Sequence, residues 1–198
     1  MASTQETFGE VATLQIVPHV IGFCGADQTV TSDAVYCTSK NIIAMTKQAA
    51  SRADASYRLA HLLGHAVQVR HGIADKALAA IRSTPQNEPD LRRAVTRQVD
   101  CIAGYLHSRA SLEIAPEVLA GIAAREPFTG SHWGRDPLRI GPKVSIGGDL
   151  RVESLLLGMR PGGVSASGGV SLAGLEACDA LLGTIATGFL GRAVSEGK

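Results

Sequence analysis

Two histidines, His61 and His65, lie four residues apart in a stretch whose apolar residues recur at intervals of three and four. This spacing predicts a helix, and side chains four apart on a helix share one face, so both imidazoles can reach one metal ion. Zinc peptidases built on this pattern carry a glutamate directly after the first histidine, where it takes a proton from the zinc-bound water. Here that residue is Leu62, which cannot accept a proton.

Three blocks of sequence extend the pattern beyond the histidine pair. Residues 59–68 read LAHLLGHAVQ and resemble A-H-E-x-G-H-H-x-Q, and residues 96–104 read TRQVDCIAG and resemble E-L-Q-A-D-C-x-A-G. Upstream, CGADQ at residues 24–28, followed by Tyr36-Cys37, resembles C-G-x-x-Q and Y-C. In order and separation the three blocks resemble the neutral zinc metallopeptidase family of bacteria, over roughly residues 5–180.

The resemblance implies a metal site that has lost its glutamates. His61 and His65 match the first two zinc ligands, and Asp100 matches an aspartate that supports a ligand histidine without touching the metal. The third ligand should be a glutamate, but that position is Thr96, and a hydroxyl is not among the usual zinc ligands. We therefore expect at most weak, vestigial metal binding at the two histidines, no cofactor and no catalytic residue.

Two functions follow from this expectation. The first is a catalytically inactive relative of the peptidases, a pseudopeptidase that binds a protein partner or forms a subunit of a larger assembly. The alternative is a zinc-binding hydrolase in which other residues replace the missing ligand and base. Asp100, His107 and His132 are the candidates for a replacement ligand.

The four cysteines are Cys24, Cys37, Cys101 and Cys178, and from their number alone two disulfides and four buried thiols both remain open. The resemblance implies Cys24–Cys37 and Cys101–Cys178, and hence an oxidising compartment, periplasmic or extracellular. No signal peptide is visible, so a cytoplasmic protein with reduced thiols is the alternative. An N-terminal hydrophobic anchor is typical of the family, which leaves open that the chain is a processed form.

Composition narrows the class of partner. The chain has 198 residues, 45% hydrophobic and 19% charged, as expected for one globular domain. A net charge of +1 gives no electrostatic footprint for nucleic acid or an anionic membrane surface. The apolar stretch at residues 170–190 contains Glu176 and Asp179, so we expect no membrane span.

The helices and strands that the sequence predicts around these residues indicate an α+β fold in a single domain, residues 1–198. Residues 1–50 are β-rich, with apolar runs at residues 11–17, 19–23, 33–37 and 41–45. Residues 51–124 form a helical core: a helix that carries both histidines and ends at Gly72, short helices at residues 75–81 and 116–124, and a long helix from Pro89 to about Ser108. Residues 125–198 are loop-rich, with helices at residues 149–159 and 172–192.

The resemblance implies a zincin-like arrangement of these elements, with the small N-terminal sheet packed on the two long helices. Those helices should face each other, so that His61 and His65 lie opposite Thr96 and Asp100. His71, six residues beyond His65, points to a different side of its helix, and we expect it on the surface.

Overall fold

Three short strands form one sheet in the computed structural model, which describes residues 7–23, 33–124, 146–160 and 173–183. The strands are β1 (Thr13–Val17), β2 (Ala34–Cys37) and β3 (Ile42–Thr46). Strand β3 lies in the centre, parallel to β1 and antiparallel to β2. Asn41 lies in the left-handed region in the turn before β3 (φ 54°), and its side chain accepts a hydrogen bond from the Tyr36 hydroxyl at 3.0 Å.

Seven α-helices follow within the described residues. They are α1 (Lys47–Ala50), α2 (Ala55–Arg70), α3 (Ile73–Ser83), α4 (Glu88–Arg109), α5 (Pro116–Ala124), α6 (Gly148–Met159) and α7 (Ala173–Ala180). Pro89 lies in the first turn of α4, where its missing N–H costs no helical hydrogen bond. The predicted α+β class and the predicted helices from the histidine helix to α6 are confirmed.

The two longest helices, α2 and α4, pack side by side in antiparallel directions. His61 of α2 contacts Asp100 of α4, while Gln68, two turns later on α2, donates to the Val95 carbonyl oxygen, an earlier residue of α4. Gly64 allows the close approach, because a Cβ there would lie 2.9 Å from a carbonyl oxygen of α4. The two helices are therefore held close enough for side chains to meet across them.

One large apolar core joins the sheet to this helix pair. Ile43 and Met45 of β3, Val67 of α2 and Ile102 of α4 are all within 2% of complete burial. Burial of such side chains contributes roughly 1.5–3 kcal/mol each. The sheet thus fixes the helix pair from one side.

Helix α6 packs on α4 with backbone almost touching backbone. A methyl group at Gly104 of α4 would collide with the Leu155 carbonyl oxygen, and one at Gly158 of α6 would collide with the Cys101 carbonyl oxygen. Only residues without a Cβ allow this separation. As a result, α6 lies close enough for Arg151 to reach the core of the helix pair.

Two expectations about secondary structure were wrong. Residues 19–23 do not form a strand: Gly22 adopts φ 76° and the Phe23 N–H donates back to the Val20 carbonyl oxygen, which closes a turn. The last helix ends at Ala180 rather than running to residue 192, because Leu181 and the following residue bond three positions back and the chain tightens. Residues 184–198 lie outside the described part.

His71, which we expected on the surface, is only partly exposed. Its ring lies 5.9 Å from the Phe8 ring and is partly buried. Burial lowers the pKa of His71, and the neighbouring Arg70 lowers it further. The N-terminal residue Phe8 covers this side of α2, a contact that helical spacing alone does not predict.

Within the described residues, no helix is both long and apolar enough to cross a membrane.

Candidate functional site

His61 and His65 lie one turn apart on the same face of α2, as their spacing predicts. Their ring centroids are 5.0 Å apart, and the rings meet edge to face at 84°. The side chain of His61 is 20% exposed, so solvent reaches it from one side. The pair is therefore a partly open site on a helix surface.

Asp100 orients His61 from the opposite helix. The Nδ1 atom of His61 lies 2.8 Å from Oδ1 of Asp100. An ionised carboxylate can only accept, so Nδ1 carries the proton and donates it. This hydrogen bond turns Nε2 of His61 away from the carboxylate. An aspartate that orients a histidine without touching a metal is expected to make this contact.

Two further side chains, Tyr57 and Arg151, converge on the same carboxylate. The Tyr57 hydroxyl donates to Oδ1 of Asp100 at 2.8 Å, and Arg151 donates through Nε to Oδ2 at 2.9 Å. Nη2 of Arg151 also donates to the Tyr57 hydroxyl at 2.6 Å and to Oδ1 at 3.3 Å. We call these residues, with His61, the Asp100 cluster. It joins α2, α4 and α6.

Arg151 and His61 keep the Asp100 carboxylate ionised although it is buried. Asp100 is completely buried, and burial alone would raise the pKa of its carboxyl group. The charges and hydrogen bonds of Arg151 and His61 together outweigh burial and hold the pKa of Asp100 well below its usual range. For Arg151, burial opposes the charged form, but Asp100 raises the pKa of the guanidinium above its ordinary value. The result is a buried, hydrogen-bonded ion pair.

At the two positions where the resemblance implies glutamate, the side chains make other contacts. Leu62 packs against the main apolar core. Thr96 is 4% exposed, and its hydroxyl donates to the Arg92 carbonyl oxygen one turn earlier at 3.2 Å. Neither side chain supplies a base or a metal ligand at the histidine pair.

The two candidate replacement ligands that the structure describes, Asp100 and His107, do not complete a metal site. Both oxygens of Asp100 are taken up by the cluster. His107 lies two turns along α4 from Asp100, where it is 2% exposed, and burial lowers its pKa. His132 lies outside the described residues. Across the described ranges, no three His, Cys, Asp or Glu side chains converge in a way that could hold a metal ion. Two imidazoles alone do not fit a catalytic zinc, which takes three protein ligands.

The cysteines fasten the C-terminal part to the helix pair. Cys101 and Cys178 form a disulfide that joins α4 to α7 across 77 residues of sequence, and both are completely buried. This predicted pair is confirmed. Cys37 is disulfide-bonded, but its predicted partner, Cys24, lies outside the described residues.

Sequence reasoning missed Tyr57 and Arg151. Tyr57 lies four residues before His61, so helical spacing alone places it on the same face and could have identified it. Arg151 is 51 residues from Asp100, and no local pattern connects the two. The Asp100 cluster thus depends on a long-range contact that only the packing of α6 creates.

Comparison with known proteins gives no assignment: no family model matches the chain, and neither the search of curated proteins nor that of solved structures finds a match.

Proposed function

We propose that the chain is a pseudopeptidase: a zincin-like helix pair that has lost its catalytic metal and acts as a protein-binding or structural subunit of a larger assembly. The observation that carries the proposal is the Asp100–Arg151 ion pair, 2.9 Å between Arg151 Nε and Asp100 Oδ2. It supplies a cation from the chain itself at the carboxylate that supports the histidine pair.

Charge balance supports a site that is complete without metal. The buried carboxylate carries one negative charge and the guanidinium one positive charge, so together they are neutral. A zinc ion bound to two neutral imidazoles would add two positive charges, with no carboxylate ligand to balance them. Leu62 cannot act as a general base. The lack of a general base alone lowers the rate of catalysis by roughly two to four orders of magnitude.

The disulfide supports a periplasmic or extracellular location, because such bonds persist in oxidising compartments. A partly open helix face that once held an extended peptide can still bind a protein segment without cutting it. The location and the binding of a protein segment are both parts of the proposed function.

One observation favours the alternative, a metal-binding hydrolase. The Asp100 hydrogen bond fixes the proton on Nδ1 of His61 and leaves Nε2 as the atom that would bind a metal, the arrangement in which a carboxylate orients a ligand histidine. A third ligand from a partner protein would then be required.

Metal content and peptidase activity separate the two functions. Protein purified without chelator is analysed for zinc, and then incubated with a quenched-fluorescence peptide library in the presence of added zinc. We expect substoichiometric zinc and no cleavage. Chelator-sensitive cleavage that is lost in His61→Ala but kept in the matched control His71→Ala would establish the hydrolase instead.

The partner itself is sought by purification under native conditions. A protein that co-purifies with the wild-type chain at fixed stoichiometry supports the subunit function. A chain that stays alone through every native purification speaks against it.

A further inference from the structure

The outer edge of β1 is open within the described part of the chain. Strand β1 pairs with β3 on one side, and no described strand lies on the other. Its five residues, TLQIV, include no charged residue and no proline, and none is fully buried. Sheet edges are usually protected from pairing by charges, proline or a covering element. The β1 edge has neither a charged residue nor a proline, and no strand covers it within the described residues.

The main chain of β1 presents two residues for pairing. The Thr13 N–H donates inward to the Asn41 carbonyl oxygen at 3.1 Å. Because main-chain groups alternate in direction along a strand, Gln15 and Val17 also face β3, while Leu14 and Ile16 face outward. The outer edge therefore offers two N–H donors and two carbonyl acceptors.

The apolar face of the sheet, which packs on the main core, continues as far as β1. Leu14 and Ile16 lie in register with Ile43 and Met45 of β3, which are buried in the main core. Yet Ile16 is 54% exposed, the largest fraction among the exposed large apolar residues of the described ranges. Ile16 thus lies on the same face of the sheet as the buried residues of β3, but its own side chain is largely exposed to solvent.

We propose that β1 is a homodimer interface, in which the β1 strands of two copies pair antiparallel about a two-fold axis through Gln15. In this register Leu14 faces Ile16 of the partner subunit, and their outward main-chain groups form four hydrogen bonds. Ile16 is then covered by an apolar side chain, and Gln15 meets its own copy, with a donor and an acceptor on each amide. The strand carries no charge that would repel itself across the axis.

We infer that the partner of the β1 edge is a second copy of the chain, because β1 is complementary to itself in its side chains and in its main-chain hydrogen-bonding groups. The apolar residues fall opposite apolar residues, and the outward donors fall opposite acceptors. The two sheets would join into one of six strands, in the isologous manner of a two-fold dimer. This inference goes beyond the pseudopeptidase proposal and does not depend on whether the histidine pair binds metal.

Cysteine cross-linking tests the register. Gln15 lies on the axis in a non-hydrogen-bonded pair, whose Cα atoms are about 4.5 Å apart, within the range for a disulfide. Gln15→Cys should therefore give a disulfide-linked dimer under mild oxidation, and none of the cysteines that the structure describes is free to compete. Thr13→Cys and Val17→Cys are matched controls. Each lies roughly 13 Å from its own copy and should not cross-link alone, whereas a mixture of the two should.

Sedimentation tests the association itself. The native chain should show a concentration-dependent monomer–dimer equilibrium, and Ile16→Lys should weaken it at least tenfold, by placing a charge against Leu14 of the partner subunit. Leu156→Lys, at a residue of α6 that is 44% exposed, should leave it unchanged. Circular dichroism verifies folding, and the cysteine series stands if Ile16→Lys does not fold.

Two results would overturn the proposal. One is a strictly monomeric chain up to about 1 mM, the weak end of specific association, which would mean that β1 stays unpaired or is covered by another segment of the same chain. The other is a dimer that survives Ile16→Lys and gives no Gln15→Cys cross-link, which would place the interface elsewhere.

Discussion

Replacing Arg151 by methionine should destabilise the protein strongly, because it leaves a buried carboxylate without its counter-ion. Asp100 is completely buried, and the Arg151 side chain is 13% exposed, so solvent offers little compensation. Breaking a buried pair by removing one partner typically costs about 3–5 kcal/mol. We expect a loss in this range in the free energy of unfolding at pH 7, measured by urea denaturation.

Two variants show whether the cost comes from the uncompensated charge. Asp100→Asn combined with Arg151→Met removes both charges and should be more stable than Arg151→Met alone. Arg97→Met is the matched control: Arg97 also contacts α6, at 3.2 Å from Ser154, but its side chain is 29% exposed. It should cost less than about 1 kcal/mol.

The penalty should also depend on pH. The ion pair holds the pKa of Asp100 below its ordinary value of 3.8, so its stabilisation is present above that value and is lost as the pH falls through the folded pKa. Arg151→Met should therefore be most harmful at neutral pH, and its difference from the wild type should shrink as the pH falls below 3.8. A loss below 1 kcal/mol at pH 7, or no rescue by the double variant, would refute the role given to this pair.

Three other changes probe the packing and the buried histidines. Gly104→Ala should cost about 3 kcal/mol in urea denaturation, because the methyl group meets the α6 backbone, whereas Gly121→Ala, with open space around it, should be neutral or stabilising. Ser111→Gly should raise the free energy of unfolding by roughly 0.5–1 kcal/mol, since Ser111 lies just after the C-terminus of α4 at φ 52°, where glycine is the usual residue; an unchanged midpoint would contradict this. Burial lowers the pKa of His107 and of His71 below 6.5, so stability should fall as the pH drops below that value, by at most about 1.4 kcal/mol per pH unit for each histidine. His107→Leu should reduce this slope in melts at pH 7 and pH 5, and an equal slope would count against it.

The parts of the fold that the sequence predicts are those with a strong local period. The helix around His61 and the helix around Asp100 follow from apolar spacing and from Pro89, and their pairing follows from the resemblance. The run at residues 19–23 shows the limit of this reasoning. Its composition is β-like, but Gly22 permits a turn that composition does not report.

The site was predictable in its outline and not in its chemistry. His61, His65 and Asp100 came from spacing and resemblance, and the Asp100–His61 contact is present in the structure. Arg151 was not predictable, because its position depends on the glycine contacts that bring α6 against α4. A contact across 51 residues has no signature in the sequence around either partner.

The most direct test of the central claim is the response of thermal stability to zinc. The wild-type chain is compared with Leu62→Glu combined with Thr96→Glu, each melted with zinc and with chelator. The variant should be less stable without metal, because it adds two carboxylates near a partly buried site. Zinc should then stabilise the variant through three ligands, by about 2.7 kcal/mol at one hundred times the dissociation constant, and should leave the wild-type melt unchanged. A wild-type chain that gains as much from zinc as the variant does would contradict the account.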